Sequence, residues 1–273
     1  MTTLRLGEKD IPRLGMGTWD LGRTDEDAIR AEEALRIGVE ECGLSLVDTA
    51  EMYGNEVLLG RILSPLRDKV YLVSKVLPMH ADFRGTIAAC ENSLRRLKTD
   101  YLDLYLLHWK GPHPLRETIS ALQVLQAAGK IRSWGVSNFD TEDMVNLPDG
   151  VRCATNQVLY NPEHRGIEYD LLPWMRRHGM PLMVYSPLGQ SGSRLLRHAA
   201  VRQAAEQMGC SPAQLLLAWV LRQPGVMALA KASSAVHMRE NAAALHLTLP
   251  ESVLSLLETA FPAPSEKIPL ASW

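Results

Sequence analysis

Four side chains of complementary chemistry stand at or just after short apolar segments of the chain: Asp48, Tyr53, Lys75 and His108. Reduction of a carbonyl needs a hydride delivered to carbon and a proton delivered to oxygen. A free tyrosine, with a pKa of about 10, is a poor acid near neutrality, but a neighbouring ammonium favours the phenolate and lowers that pKa. Lys75 beside Tyr53 would therefore make the phenol a proton donor.

The other two residues complete this chemistry. Asp48 would hold Lys75 charged and oriented, and His108 would polarise the carbonyl oxygen by donating a hydrogen bond. The hydride would come from a nicotinamide cofactor lying beside the carbonyl carbon. Each residue alone has a structural explanation, as a solvated lysine, a packing tyrosine or a structural histidine. Their shared position at the ends of successive strands favours a catalytic role for the set.

Eight short apolar segments would position these side chains. They are predicted strands at Leu14–Gly17, Ser45–Asp48, Val70–Lys75, Leu102–His108, Ile131–Val136, Ala154–Val158, Leu182–Tyr185 and Val226–Ala230. Most are apolar throughout, which is typical of parallel strands that are covered on both faces. In a closed barrel of such strands, the active site lies at their carboxyl ends.

Amphipathic segments alternate with the strands and predict helices. These segments are Asp25–Cys42, Asn55–Leu63, Gly85–Leu97, Leu115–Ala128, Thr141–Leu147, Tyr169–His178, Ala199–Met208 and Ala235–Leu245. Two extra helices, Ser211–Arg222 and Glu251–Ala260, fall outside the alternation, and a leading hairpin joins Leu4–Leu6 to Ile11–Leu14. The pattern predicts an α/β fold, a (β/α)8 TIM barrel that forms one domain over residues 1–273. An open doubly wound sheet is the alternative.

Composition narrows the function classes. The chain has 273 residues, a net charge of −2 and four cysteines without zinc-ligand spacing. The weak net charge argues against nucleic acid or membrane partners, and the cysteine pattern predicts no metal site. We expect a cytoplasmic monomer that acts on a small carbonyl compound.

The catalytic residues lie in segments that resemble the aldo-keto reductase superfamily, in particular its short-loop bacterial type. The segment 48–60 (DTAEMYGNEVLLG) is similar to the family's first signature, and 129–139 (GKIRSWGVSNF) to its second. Segments 72–75 and 103–109 resemble the lysine and histidine strands. The likeness covers nearly the whole chain, and it implies a barrel fold, a catalytic tetrad of Asp48, Tyr53, Lys75 and His108, and NADPH as cofactor.

The resemblance also implies a cofactor site. Ser137, Asn138 and Gln157 match the residues that hold the nicotinamide carboxamide, and Tyr185 matches the ring that stacks on the nicotinamide. The remaining cofactor residues that it implies are Gly17, Thr18 and Trp19 in the first loop, Ser186, Leu188 and Gln190 at the pyrophosphate, Lys231, Ala232 and His237 at the 2′-phosphate, and Glu240 and Asn241 at the adenine. Gly189 and Gly192 would let the backbone approach phosphate closely.

The last of these segments departs from the family pattern. The family has Ser or Thr after the lysine and an arginine six residues beyond it, whereas this chain has Ala232 and His237. A hydroxyl and a guanidinium are thereby lost from the 2′-phosphate site, although Lys231 can still meet the phosphate as a point charge. We predict NADPH as cofactor, with NADH use also allowed.

The predicted substrate site consists of Trp19, Tyr53, His108 and Trp109, with Met52 and Met79 as further apolar candidates. Short loops indicate a wide pocket for small or aromatic aldehydes, 2-oxoaldehydes included.

Two other functions stay open at this stage. A barrel lyase could use Lys75 as a Schiff base, although a nearby Asp48 would oppose the neutral amine that this needs. A cofactor-binding regulatory subunit with little turnover would share the same residues. A Rossmann reading of Gly15-x-Gly17 fails, because Asp20 occupies the position of the third glycine.

Overall fold

The first strands of the chain form a hairpin at one end of the molecule. The computed structural model describes residues 2–148, 150, 152–190 and 194–272, so Gly192 lies outside the described residues. Strand β1 (Thr3–Leu6) pairs antiparallel with β2 (Lys9–Pro12). Gly7 has a left-handed φ of 60°, which glycine adopts without strain. A turn of two residues is therefore enough to connect β1 to β2. Lys9 therefore lies in a strand, not in the longer turn predicted from the sequence.

Eight parallel strands close into a barrel, as the sequence predicted. They are β3 Leu14–Gly17, β4 Leu46–Asp48, β5 Tyr71–Val76, β6 Leu102–Leu107, β7 Ile131–Ser137, β8 Asn156–Leu159, β9 Leu182–Tyr185 and β10 Val226–Ala230. Each strand pairs with the next in chain order, and β10 returns to pair with β3. The open-sheet alternative is therefore wrong, because Ala228 and Ala230 pair with Leu14 and Met16 and leave no free edge.

The helices surround the barrel. They are α1 Asp25–Glu40, α2 Glu56–Leu63, α3 Phe83–Leu97, α4 Leu115–Ala127, α5 Thr141–Val145, α6 Leu171–Arg177, α7 Ala199–Met208, α8 Pro212–Leu221, α9 Ala235–Ala243 and α10 Glu251–Ala260. The start predicted at Ser211-Pro212 is confirmed, since Ser211 and Gln214 cap α8 reciprocally. Both additional helices, α8 and α10, are present, and the larger hydrophobic core lies between the helices and the strands.

The hairpin fills the amino end of the barrel. Leu6 and Ile11 are buried among side chains of the barrel interior, including Tyr71 and Leu104. Beside them the buried carboxylate of Asp103 accepts hydrogen bonds from Lys9 Nζ (2.8 Å) and Arg67 Nη2 (2.9 Å) and from the Leu72 amide (3.0 Å). These bonds join the hairpin to β5 and β6 at the amino end of the barrel.

Among the described residues, no helix combines the length and the apolar character that a bilayer crossing requires.

Candidate active site

Three of the four predicted catalytic side chains meet at the carboxyl end of the barrel. The ammonium of Lys75 donates to Asp48 Oδ1 (2.6 Å), to the Thr49 carbonyl (2.8 Å) and to the Tyr53 hydroxyl (3.2 Å). Asp48 ends β4, Lys75 lies near the end of β5, and Tyr53 ends a short 3₁₀ turn that follows β4. The ammonium thus has all three of its hydrogens bonded, one of them to the phenol.

The Lys75–Asp48 pair is enclosed by the protein. The Lys75 side chain has no exposed area, and the second oxygen of Asp48 accepts from Gln157 Nε2 at 2.8 Å. Burial alone would lower the pKa of Lys75, but attraction and hydrogen bonds from Asp48 and Tyr53 outweigh it, so the net direction is upward. Lys75 is therefore charged, which opposes the neutral amine that a Schiff-base lyase would need.

The pKa of Tyr53 moves in the direction opposite to that expected from the sequence. Burial, the largest influence, raises this pKa, Lys75 lowers it, Asp48 raises it, and the net direction is upward. The expectation of an acidified phenol was wrong because it took account of the ammonium and not of the loss of water around the ring. Tyr53 consequently carries its proton at neutral pH, which is the form that a proton donor must have.

His108 follows β6 directly and is buried beside this group. Its ring lies 5.8 Å from that of Tyr53, centroid to centroid, with the planes 69° apart. Burial, and to a lesser degree Lys75, lowers its pKa to about 2, so the imidazole is neutral. Its Nδ1 is buried and meets no hydrogen-bond partner among the described residues. A proton there would be an unpaired buried donor, so we assign the proton to Nε2.

We expect His108 to stay uncharged from pH 8 down to pH 4.5, unlike a free histidine, whose pKa is about 6.5. The check is an NMR titration of the histidine ring carbons, with the His108 signal identified by its loss in a His108→Gln variant. An ordinary titration midpoint at this signal would contradict the burial argument.

The low pKa of His108 also makes the free energy of unfolding depend on pH. Between pH 6.5 and 2 the unfolded chain binds a proton that the folded chain does not, so stability falls as pH falls.

Two tryptophan rings lie next to the rings of Tyr53 and His108. The Trp19 ring meets the Tyr53 ring edge-on at 4.9 Å, and the Trp109 ring lies 4.8 Å from the His108 ring. Trp19 and Trp109 remain 53% and 38% exposed, and the side chains of Met52 and Met79 are exposed as well. A cleft of about 380 Å³ runs beside Tyr53 from Trp19 to Met52. Trp19, Met52 and Tyr53 line this cleft, and His108 and Trp109 connect to it through the ring contact between His108 and Tyr53.

The residues predicted to hold the nicotinamide carboxamide form one polar cluster. Asn138, at a left-handed φ of 58°, donates to the His108 carbonyl (3.1 Å) and accepts from the Tyr185 hydroxyl (2.8 Å). Ser137 Oγ donates to the Gln157 carbonyl at 2.8 Å, and Gln157 reaches Asp48 as described. The cluster therefore joins directly to the Asp48–Lys75 pair.

The predicted cofactor residues at the end of β3 and in the loop after β9 also lie at the carboxyl end of the barrel. Both the amide and the hydroxyl of Thr18 donate to the Asp48 carbonyl, at 3.0 and 2.9 Å. A Cβ placed on Gly17 would lie 3.8 Å from Leu229 Cβ, an ordinary van der Waals distance, so no protein atom would have to move to accommodate it. Ser186 has a left-handed φ of 50° and accepts from the Gly189 amide. Leu188 and Gln190 follow in the same loop.

The residues predicted for the 2′-phosphate and the adenine lie just before α9 and along it. Lys231 follows β10 and is 35% exposed in its side chain, His237 lies in the first turn of α9, and Ala232 is buried. Asn241 is buried and donates to the Lys231 carbonyl (3.5 Å), and Glu240, partly buried, accepts through its carbonyl from Gln214. The neighbouring cation Arg239 is bound to Glu41, so it does not replace the missing arginine.

The sequence analysis missed two residues that support the site. Asn55 donates to the Thr18 carbonyl (2.7 Å) and accepts from Thr49 (3.0 Å), which fixes the loop between Asp48 and Tyr53. Glu51 accepts from the Leu77 amide at 2.5 Å and so ties the Tyr53 turn to the end of β5. Asn55 lies within the first signature and could have been found there. Glu51 carries no sequence signal, because its partner depends on how two loops meet.

Comparison with known proteins identifies a family. Residues 13–260 match the model of the Aldo/keto reductase family. The chain is similar to methylglyoxal reductase YeaE of Escherichia coli (50% identity, 97% of this chain and 96% of that protein). It is also similar to glyoxal reductase of Bacillus subtilis (34% identity, 85% and 83%). A crystal structure of an aldo/keto reductase from Klebsiella pneumoniae in complex with NADP and acetate superposes with a TM-score of 0.95 (49% identity, 100% and 99%).

Proposed function

On the premise that this chain belongs to the aldo/keto reductase family, we propose that it reduces small aldehydes, 2-oxoaldehydes in particular, to alcohols with NADPH. As a member of that family the chain is an oxidoreductase. The observation that carries the proposal is the Tyr53 hydroxyl, protonated and 3.2 Å from the buried ammonium of Lys75. The printed names of two relatives, a methylglyoxal reductase and a glyoxal reductase, support the substrate class.

The residues of the site would divide the chemistry as follows. When bound, the reduced nicotinamide supplies the hydride for the carbonyl carbon. The neutral His108 orients the carbonyl oxygen through Nε2–H, and Tyr53 gives its proton to that oxygen. The phenolate left behind is stabilised by the Lys75 ammonium, which Asp48 and Gln157 hold in place. The proton thus starts at the Tyr53 oxygen and ends on the alcohol.

The residues present fit NADPH. The cluster of Asn138, Gln157 and Tyr185 offers both donors and acceptors to a carboxamide. Lys231, with its ammonium partly exposed, would meet the 2′-phosphate. A solved relative from Klebsiella pneumoniae with 49% identity was crystallised in complex with NADPH, which supports this cofactor.

The missing guanidinium at position 237 has a measurable consequence. We expect His237→Arg to tighten NADPH about tenfold, the effect of one charge-assisted hydrogen bond of about 1.4 kcal/mol. NADH, which lacks the 2′-phosphate, should bind unchanged. Calorimetric dissociation constants for the two cofactors check this, with His246→Arg, the same change on the exposed 3₁₀ turn after α9, as the control. Equal tightening of NADH and NADPH would sink the assignment.

The proposed function is tested by following NADPH absorbance while carbonyl compounds are added. The panel contains methylglyoxal, glyoxal, benzaldehyde and acetone, and each compound is repeated with NADH. We expect the 2-oxoaldehydes and aldehydes to be reduced faster than the ketone. Tight binding of NADPH without turnover of any compound would favour the regulatory role instead. A single domain, a monomer and a cytoplasmic location stay predictions.

A further inference from the structure

We propose that Asp20 sets how strongly this chain prefers NADPH over NADH, because its carboxylate competes with the cofactor's 2′-phosphate for the ammonium of Lys231. The inference rests on the proposed function, in which Lys231 is the cation that meets this phosphate. It assigns a specificity role to a loop residue next to Trp19, which is far from Lys231 in sequence and close to it in the barrel.

Barrel closure brings the two residues together. Asp20 lies in the loop after β3, and Lys231 directly follows β10, the strand that pairs with β3 through Ala230 and Met16. The Asp20 Oδ2 atom lies 3.6 Å from Lys231 Nζ. The loop is ordered by the Leu21 amide, which donates to the Thr18 carbonyl at 3.2 Å. Asp20 itself has a left-handed φ of 65°, which aspartate and asparagine tolerate better than most residues.

The carboxylate of Asp20 lies between two cations. Its Oδ1 contacts Arg23, while its Oδ2 faces Lys231. A phosphate dianion that approaches Lys231 must separate the ammonium from Asp20 or accept repulsion from the carboxylate. Because Arg23 would remain beside Asp20 after Lys231 has moved to the phosphate, the exchange leaves no charge unpaired. The contact is therefore reversible and opposes only a ligand that needs Lys231.

The expected change in NADPH affinity depends on how exposed the Asp20–Lys231 ion pair is. The side chains of Asp20 and Lys231 are 26% and 35% exposed, so water and salt screen their attraction. An exposed pair of this kind changes an equilibrium by about threefold. NADH has no 2′-phosphate and gains nothing from a free Lys231. Asp20 would therefore weaken NADPH binding selectively, in addition to the loss of donors at Ala232 and His237.

The test compares Asp20→Asn with the wild-type chain by calorimetric titration of NADPH, NADH and adenosine 2′,5′-bisphosphate. Asparagine keeps the shape and tolerates the left-handed backbone, so the variant changes only the charge. We expect about threefold tighter binding of NADPH and of the bisphosphate, unchanged NADH, and a smaller difference at high salt. Asp25→Asn, an exposed acidic residue at the start of α1, is the matched control and should change none of them.

Repeating the test in a Lys231→Met variant distinguishes a failure of this inference from a failure of the proposed function. In Lys231→Met, NADPH should bind more weakly, and adding Asp20→Asn should no longer change the ratio of the NADPH and NADH constants. If Lys231→Met weakens NADPH but Asp20→Asn leaves it unchanged, weakens it, or tightens both cofactors equally, the inference is wrong and the role of Lys231 stands. If Lys231→Met itself binds NADPH as the wild type does, both the role of Lys231 and the inference are overturned.

Discussion

Tyr53→Phe will abolish most aldehyde reduction, with kcat lower by about 10²–10⁴-fold, the usual contribution of a positioned acid. The substitution removes the hydroxyl that lies 3.2 Å from Lys75 Nζ and keeps the ring that packs against Trp19 at 4.9 Å. NADPH binding should persist, because the substitution leaves Ser137, Asn138 and Gln157, which are proposed to hold the carboxamide, unchanged. Initial rates with methylglyoxal and a calorimetric constant for NADPH measure the two effects separately.

A matched control is available for this experiment. Tyr169→Phe makes the same chemical change at a ring that is 48% exposed and lies near α6, so its kcat should equal that of the wild type. Circular dichroism verifies that both variants fold. If Tyr53→Phe turned over near the wild-type rate, the proton would have another source, and the assignment of Tyr53 would be wrong.

Lys75→Met should lower both activity and stability. It leaves the carboxylate of Asp48, 3% exposed, without its cation, and breaking a buried pair in this way costs about 3–5 kcal/mol of unfolding free energy. The rate should also fall, because a phenolate at Tyr53 would lose the charge that stabilises it. Urea denaturation reports the first effect and initial rates report the second.

The double variant Asp48→Asn/Lys75→Met distinguishes these two roles. It removes both charges, so we expect most of the lost stability to return while the activity stays low. Lys267→Met, at a half-exposed lysine paired with Asp170, is the control and should change stability by less than about 1 kcal/mol. A double variant as unstable as Lys75→Met would mean that the unpaired carboxylate is not the cause.

The fold could be predicted from sequence because parallel strands covered on both faces are apolar throughout. Leu14–Gly17, Leu182–Tyr185 and Val226–Ala230 therefore have the predicted bounds, and the other strands of the barrel differ by one or two residues at one or both ends. The bounds of the amino-terminal hairpin were predicted less accurately. Leu14, which the sequence analysis assigned both to the second arm and to the first barrel strand, belongs only to the barrel strand, and Arg13 alone separates β2 from β3.

The sequence predicted which residues form the site, but it did not predict the direction of the pKa shift of Tyr53. Asp48, Lys75 and His108 each stand at a strand end, and barrel geometry alone brings such ends together. The upward direction of the Tyr53 pKa could not be predicted, because it depends on how much water the surrounding residues exclude from the ring. The contact between Asp20 and Lys231 could not be predicted either. It joins residues from opposite ends of the chain, and it forms only because β10 pairs with β3.

The amino end of the barrel, where Lys9, Arg67 and the Leu72 amide all bond to the buried Asp103, has a consequence for how this protein can change. These bonds hold the scaffold far from any reacting atom. We therefore expect substitutions at Trp19, Met52 or Trp109, which are proposed to contact the substrate, to change the range of accepted compounds without weakening these bonds. Selection for a new substrate could then act at the carboxyl end of the barrel while the bonds at the amino end stay intact.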